Sequence, residues 1–199
     1  CLDAATGDIA LIADDDCRYK DEYFDRIVET FGSHPEVDIA QFMLNIEGHN
    51  PIKPYPTVPC SYKKYPKGLY PSSVELAFRP ERVRHIRFNE HFGLGTQTLL
   101  CGEEEVWLHD ATKAGLSIWF FPYYIVKHPL ENTGLYAYTR KGVMRAKGAV
   151  NYHLFGASAW LRMFKFALVG AYRGKANFFT LLIQSWRGII YYLIHCRRT

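Results

Sequence analysis

Acidic residues stop at Glu131. No Asp or Glu follows it, while the segment 132–199 holds eleven of the chain's 24 Lys and Arg and so carries +11. The other thirteen bases share residues 1–131 with all 20 acids, a balance of −7 that the formal net charge of +4 conceals. An acidic body joined to a basic tail implies two different partners rather than one evenly solvated surface. Cysteine is sparse. The five residues (Cys1, Cys17, Cys60, Cys101 and Cys196) are odd in number, widely spaced and contain no C-x-x-C. That pattern shows no zinc-finger spacing, and it suits a reducing compartment better than a disulfide framework. No secretory signal is visible, and a chain that opens on Cys1, directly before an internal-looking element, points to a fragment without its N-terminus. The longest apolar stretch, Phe178 to Ile194, is marginally short for a bilayer and contains Arg187. With 48% apolar and 22% charged residues, wholesale disorder is excluded. The 199 residues suit one domain, or one domain with an extension.

What is present has an α/β rhythm. Residues 9–13 (Ile-Ala-Leu-Ile-Ala) form a short apolar run, expected to be a buried parallel strand covered on both faces. Phe24, Ile27, Val28 and Phe31 then recur at helical spacing, which predicts an amphipathic helix over roughly 20–31, stopped by Gly32-Ser33-His34-Pro35. Val37 to Leu44 reads as the next strand. Six prolines within 50–71 forbid a regular helix or central strand there and leave a long loop with room for an edge strand. Val74 to Phe78 is a further strand, and Gly102 to Ala114 is a helix closed by Gly115. Ser117 to Phe121 and Tyr123 to Val126 read as strands split by Pro122. Three helices follow, near 135–152, 157–172 and 176–196. In the last, Thr180, Gln184, Arg187, Tyr191, His195 and Arg198 draw one polar stripe.

Three groups of residues carry chemistry. Asp14, Asp15 and Asp16 end the first strand. Carboxylates so close repel one another unless a cation compensates, and oxygen ligands suit Mg²⁺ or Mn²⁺. A solvated turn with helix-capping acids explains the same triplet. A calcium-binding helix-loop-helix is excluded, because Tyr19 stands where the loop needs Gly and Asp25 where it needs Glu. Glu103, Glu104 and Glu105 open a helix, where acids offset the dipole. One of them facing a cleft would serve as a general base. His128 follows a strand and precedes a proline; it is either structural or returns to the sheet edge that carries Asp14–Asp16.

The order of these pieces resembles the family 2 glycosyltransferases of the GT-A fold. The match runs from Ala5-x-Gly7-Asp8 to Asp14-Asp15-Asp16, which is similar to that family's D-x-D. It continues through Phe92-Gly93-Leu94-Gly95-Thr96, Gly102-Glu103-Glu104, Gly115 and Val126-Lys127-His128. The resemblance implies a mixed, mainly parallel sheet flanked by helices in residues 1–130, incomplete at its N-terminus, with a helical extension over 131–199. It implies an inverting enzyme that moves a sugar from a nucleotide-sugar donor to a hydroxyl of a glycan or polyprenyl-diphosphate-linked acceptor, as in cell-surface polysaccharide synthesis. Asp14 and Asp16, joined by His128, would hold Mn²⁺ or Mg²⁺ on the donor diphosphate, with Asp15 beside the donor. Glu104 or its neighbour Glu103 would be the base. Phe92, Gly93, Gly95, Thr96 and Trp107 would border the acceptor. The family's nucleoside-binding strand and loop precede the D-x-D and have no counterpart here, so the chain by itself is expected to bind nucleotide sugars poorly. The alternative is a truncated, non-catalytic relic serving as a membrane-associated binding module.

The tail's apolar faces, its basic residues and Trp160, Trp186, Tyr191 and Tyr192 suit the anionic surface of a membrane, peripherally and on the cytoplasmic face. Each Lys or Arg there contributes about 1 kcal/mol. An ordinary helical cap with solvated charges accounts for the same pattern. No nucleic-acid-binding motif accompanies the charge.

Overall fold

The computed structural model describes residues 2–46, 51, 53–128 and 136–196. The chain divides into two compact units, one made of residues 1–87 and 108–130, the other of 88–107 and 131–199.

The first unit is built on a five-stranded sheet of order β1-β4-β2-β5-β3. Its strands are β1 (Ala10–Leu11), β2 (Ile39–Ile46), β3 (Cys60–Ser61), β4 (Leu76–Phe78) and β5 (Ile118–His128). Strands β2 and β5 are parallel neighbours, whereas β4 runs antiparallel to both β1 and β2, and β3 antiparallel to β5. The sheet is therefore mixed, with β1, β2 and β5 running one way. The apolar run at 9–13 was expected to be parallel to its neighbour and covered on both faces. It is instead a two-residue, half-buried strand at the edge of the described sheet, paired antiparallel with β4. Helix α1 (Asp21–Ser33) lies between β1 and β2 in sequence and turns Tyr23, Ile27 and Phe31 into a core with Phe42, Leu44, Phe121 and Ile125. It ends where Gly32-Ser33-His34-Pro35 predicts.

Pro122 does not split the last strand. The ladder steps from Gln41↔Phe120 to Met43↔Tyr124, so β5 places two extra residues against β2 around the proline. A residue without an N–H cannot pair centrally, and a bulge removes the need. The proline-rich segment supplies the edge strand β3 and covers a sheet face with aromatics, Tyr55 stacking on Phe120 at 5.9 Å and Tyr65 meeting it edge-on at 6.2 Å.

Beneath that cover lies an ion pair with no solvent exposure at either side chain, Lys53 Nζ to Glu75 Oε2 at 2.8 Å. Glu75 Oε2 also accepts from Gln41 Nε2 (2.9 Å) and from the Ser72 backbone N–H (3.1 Å), and Tyr55 donates its hydroxyl to Oε1. Lys53 donates to Ser72 Oγ at 2.7 Å and lies over the Tyr70 ring. Burial, reinforced by the Glu75 charge, raises the Tyr55 phenol far above its ordinary range, which keeps it a donor.

The second unit holds α4 (Lys141–Phe155), α5 (Ala159–Tyr172) and α6 (Phe178–Tyr191), the last continued by a π-helical turn, Tyr192–Cys196. The short α2 (Pro80–Val83) belongs to the first unit, and the division between units falls inside α3 (Glu103–Lys113), after Trp107. Helices α4 and α6 cross through glycine. A Cβ on Gly148 would stand 1.9 Å from the Ser185 carbonyl oxygen, and one on Gly188 would stand 1.9 Å from that of Arg145. Contact this close fixes which face of α6 is buried: Leu181, Gln184, Ser185, Gly188 and Ile189. Gln184, placed in the polar stripe by sequence, is buried and accepts from Arg145 Nε at 2.9 Å. The face left outside carries an apolar row, Phe179, Ile183, Ile190 and Ile194 at 67%, 46%, 47% and 59% exposure, beside the exposed stripe residues Thr180, Arg187 and His195. Gly148→Ala is expected to cost about 1–3 kcal/mol, because α6 backbone must move to admit the methyl. Gly32→Ala, in α1 with nothing within 4 Å of the new Cβ, is expected to be neutral or stabilising by up to about 1 kcal/mol. Denaturant melts of the two variants check the contrast.

Candidate functional site

In the first unit, β1 delivers the chain into a turn closed by the Cys17 N–H on the Asp14 carbonyl at 3.2 Å. The next residue makes a two-bond bridge to the end of β5. Arg18 N–H donates to Lys127 O, and Lys127 N–H to Arg18 O, both at 2.9 Å. This bridge ties the aspartate turn to the residue before His128. Asp16 Oδ1 consequently lies 4.0 Å from His128 Nε2, with the carboxylate side chain 53% and the imidazole 13% exposed. Asp14 and Asp15 are exposed in the same turn.

A third donor stands with this pair. The Cys17 thiol, the Asp16 carboxylate and a His128 ring nitrogen lie within 4.8 Å of one another. Burial raises the Cys17 thiol above its usual value, and the charges of Asp14 and Asp16 add to the rise. Carboxylate, imidazole and sulfur on a half-buried edge, beside two further carboxylates, are a donor set that fits a divalent cation. Sequence reasoning passed over Cys17 because it sought a second cysteine at ligand spacing. The available signal was its position directly after the aspartates.

In the second unit, the loop at Phe92–Thr96 is fixed by its own hydrogen bonds. Gly93 N–H donates to Leu99 O at 2.9 Å and Thr96 N–H to Gly93 O at 3.0 Å. The Thr96 hydroxyl donates to Leu99 O and accepts from Leu99 N–H, so it is engaged within the loop. Gly93 has φ +105°, and a Cβ there would stand 2.9 Å from Glu103 Oε1. The positive φ is what requires glycine here, and the Glu103 carboxylate lies beside it. Gly102, at φ +96°, likewise lies under Val150, whose Cγ2 would lie 2.4 Å from an added Cβ.

Glu103, Glu104 and Glu105 are all half-buried in the first turn of α3. Burial, then the charges of Glu105 and Glu103, push the Cys101 thiol up to about 12. Gly95 is exposed on the loop. Trp107 is fully buried, its indole stacked on Phe88 at 4.8 Å, a packing position. The structure therefore brings Asp16 together with His128 in one unit and Gly93 together with Glu103 in the other.

The structure is similar to the crystal structure of S. aureus TarS 1-349, with a TM-score of 0.57 over 97% of this chain and 68% of that one. The fold is GT-A-like. The likeness is one of fold, since 14% of residues are identical. No family model matches the chain. No curated protein sequence matches it.

Proposed function

We propose that the chain carries the metal-binding and acceptor-side residues of an inverting glycosyltransferase of the family 2 type. The observation that supports this most directly is the Arg18–Lys127 bridge, which sets Asp16 beside His128 at the end of a sheet strand in a GT-A-like fold. Ligands of open α/β sheets bind at such strand ends. Asp14, Asp16 and His128 would hold Mn²⁺ or Mg²⁺, with Asp15 at the donor. The cation would supply charge neutralisation on the diphosphate of a nucleotide sugar.

The chain's own residues do the rest. Glu103 or Glu104 accepts the proton of the acceptor hydroxyl as that oxygen attacks the anomeric carbon, and the bond to the nucleoside diphosphate breaks, its electron pair leaving on the phosphate oxygen. Glu103 is the one in contact with the Gly93 loop, which favours it as the base nearer the acceptor. The glycine-dependent loop Phe92–Thr96 holds the acceptor glycan or its lipid-linked form. Intact protein given nucleotide sugars and a glycan acceptor is expected to transfer sugar with Mn²⁺ and to stop with EDTA. Transfer unaffected by chelation would refute the metal-dependent reading.

The second unit supports attachment to the surface of an anionic membrane on its cytoplasmic side. By length and composition alone, Lys141–Tyr172 is one helical stretch apolar enough to cross a bilayer. Gly156, at φ +58° and ψ −140°, breaks it into α4 and α5. At 15 and 14 residues each helix is about 22 Å long, short of a hydrocarbon core of about 30 Å. The exposed apolar row on α6, with Arg187 beside it and no acid anywhere in 132–199, suits a helix lying in the interface. Flotation with vesicles containing anionic lipid is expected to carry the protein upward. Neutral vesicles, or the Phe179→Asp/Ile190→Asp variant, are expected to leave it behind. Equal flotation with both lipids would refute the electrostatic part.

A further inference from the structure

We infer that Cys17 is a metal ligand, and that Asp16, Cys17 and His128 form a mixed carboxylate–thiolate–imidazole site that takes Zn²⁺, Co²⁺ or Cd²⁺ in preference to Mg²⁺. The inference shares two residues with the proposed transferase site but concerns metal ligation, and it stands whether or not sugar is transferred. Three donors of different chemistry converge from two distant segments, the turn after β1 and the end of β5. They lie within 4.8 Å of one another, and the carboxylate–imidazole gap is 4.0 Å. Bonds of about 2.0 Å to nitrogen and oxygen and about 2.3 Å to sulfur place tetrahedral donors roughly 3.5 Å apart. Closing these gaps takes side-chain rotations, while the Arg18–Lys127 bridge holds both backbones in place.

The donor set decides which metal is favoured. Oxygen ligands alone suit Mg²⁺, imidazole suits Zn²⁺, and a thiolate draws the softer borderline ions. Three protein ligands with the carboxylate side open to solvent resemble a site that keeps a position for water or a substrate oxygen, not a closed structural one. Such a site would be occupied by traces of zinc, and zinc would compete with the Mn²⁺ proposed for Asp14, Asp16 and His128.

Cobalt(II) reports the ligands directly. Titrating the full chain with Co²⁺ under reducing conditions is expected to raise a sulfur-to-cobalt charge-transfer band in the near ultraviolet. The visible bands should have the intensity of a four-coordinate ion, and one equivalent of Zn²⁺ should bleach both. Cys17→Ser is expected to abolish the charge-transfer band, and His128→Ala to weaken it. Cys60→Ser, at another thiol of the same unit, serves as the control and should leave it unchanged. Cobalt binding without the band, a band that survives Cys17→Ser, or no cobalt binding at all would each overturn the inference. A positive spectrum in a protein that transfers no sugar leaves the inference standing and removes the transferase reading. Transfer with no cobalt band does the reverse.

Discussion

Asp16→Ala is expected to lower metal-dependent sugar transfer by the intact protein by at least about 100-fold, or about 2.7 kcal/mol of transition-state stabilisation. Losing a residue that merely orients a ligand costs 10–100-fold in many metal sites, so loss of a ligand should cost no less. The substitution removes one of the two groups that the Arg18–Lys127 bridge brings together, and it leaves His128 and Cys17 without their carboxylate neighbour. The side chain is half exposed, so little folding energy depends on it. Thermal melts should coincide with wild type while Mn²⁺ affinity and turnover fall together. Wild-type turnover with unaltered Mn²⁺ dependence would move the metal away from this turn. The non-catalytic membrane module would be favoured only if the wild-type protein also transferred nothing.

Lys53→Met should be strongly destabilising to the first unit. It strands the Glu75 carboxylate, fully buried, with Gln41, Tyr55 and the Ser72 amide as its remaining partners. Breaking one side of a buried pair costs about 3–5 kcal/mol, because the charge left behind is uncompensated. For a chain of this size that corresponds to a fall in melting temperature of roughly 6 to 20 °C. Lys53→Met/Glu75→Gln should recover much of the loss, since the amide is neutral: its single oxygen in the Oε2 position still accepts from Gln41 and the Ser72 N–H, and its NH2 can donate to the Tyr55 hydroxyl. A double variant no more stable than the single one would show that Lys53 acts through packing against Tyr70, not through charge.

Local periodicity explains which parts could be read in advance. Helix α1 was legible because Phe24, Ile27, Val28 and Phe31 repeat at its period, although only Ile27 and Phe31 of these are buried, with Tyr23 and Thr30, while Phe24 and Val28 are exposed; the proline-rich stretch was legible because proline lacks a donor. The resemblance gave the GT-A-like architecture, because the order of motifs follows the chain. Pairing between distant segments left no such trace. Nothing around Ala10 says that β4 comes between β1 and β2, and nothing around Arg18 names Lys127 as its bridge partner. The position of Cys17 directly after the aspartates was the one hint in the sequence, and the bridge is what sets it beside His128. Pro122 suggested two strands because the bulge that accommodates it depends on β2. In α6 the polar stripe was real as a pattern, but the burial followed the small residues at the α4 crossing.

That crossing has a consequence for how the tail is oriented. With backbone against backbone at Gly148 and Gly188, α6 cannot roll about its own axis without driving Ser185 into α4. The row Phe179, Ile183, Ile190 and Ile194 therefore points outward through the geometry on the opposite side of the helix, with no attraction of its own required. Two hydrogens standing where methyl groups could have been act as a keyway, and a single added carbon at either would force the two backbones apart.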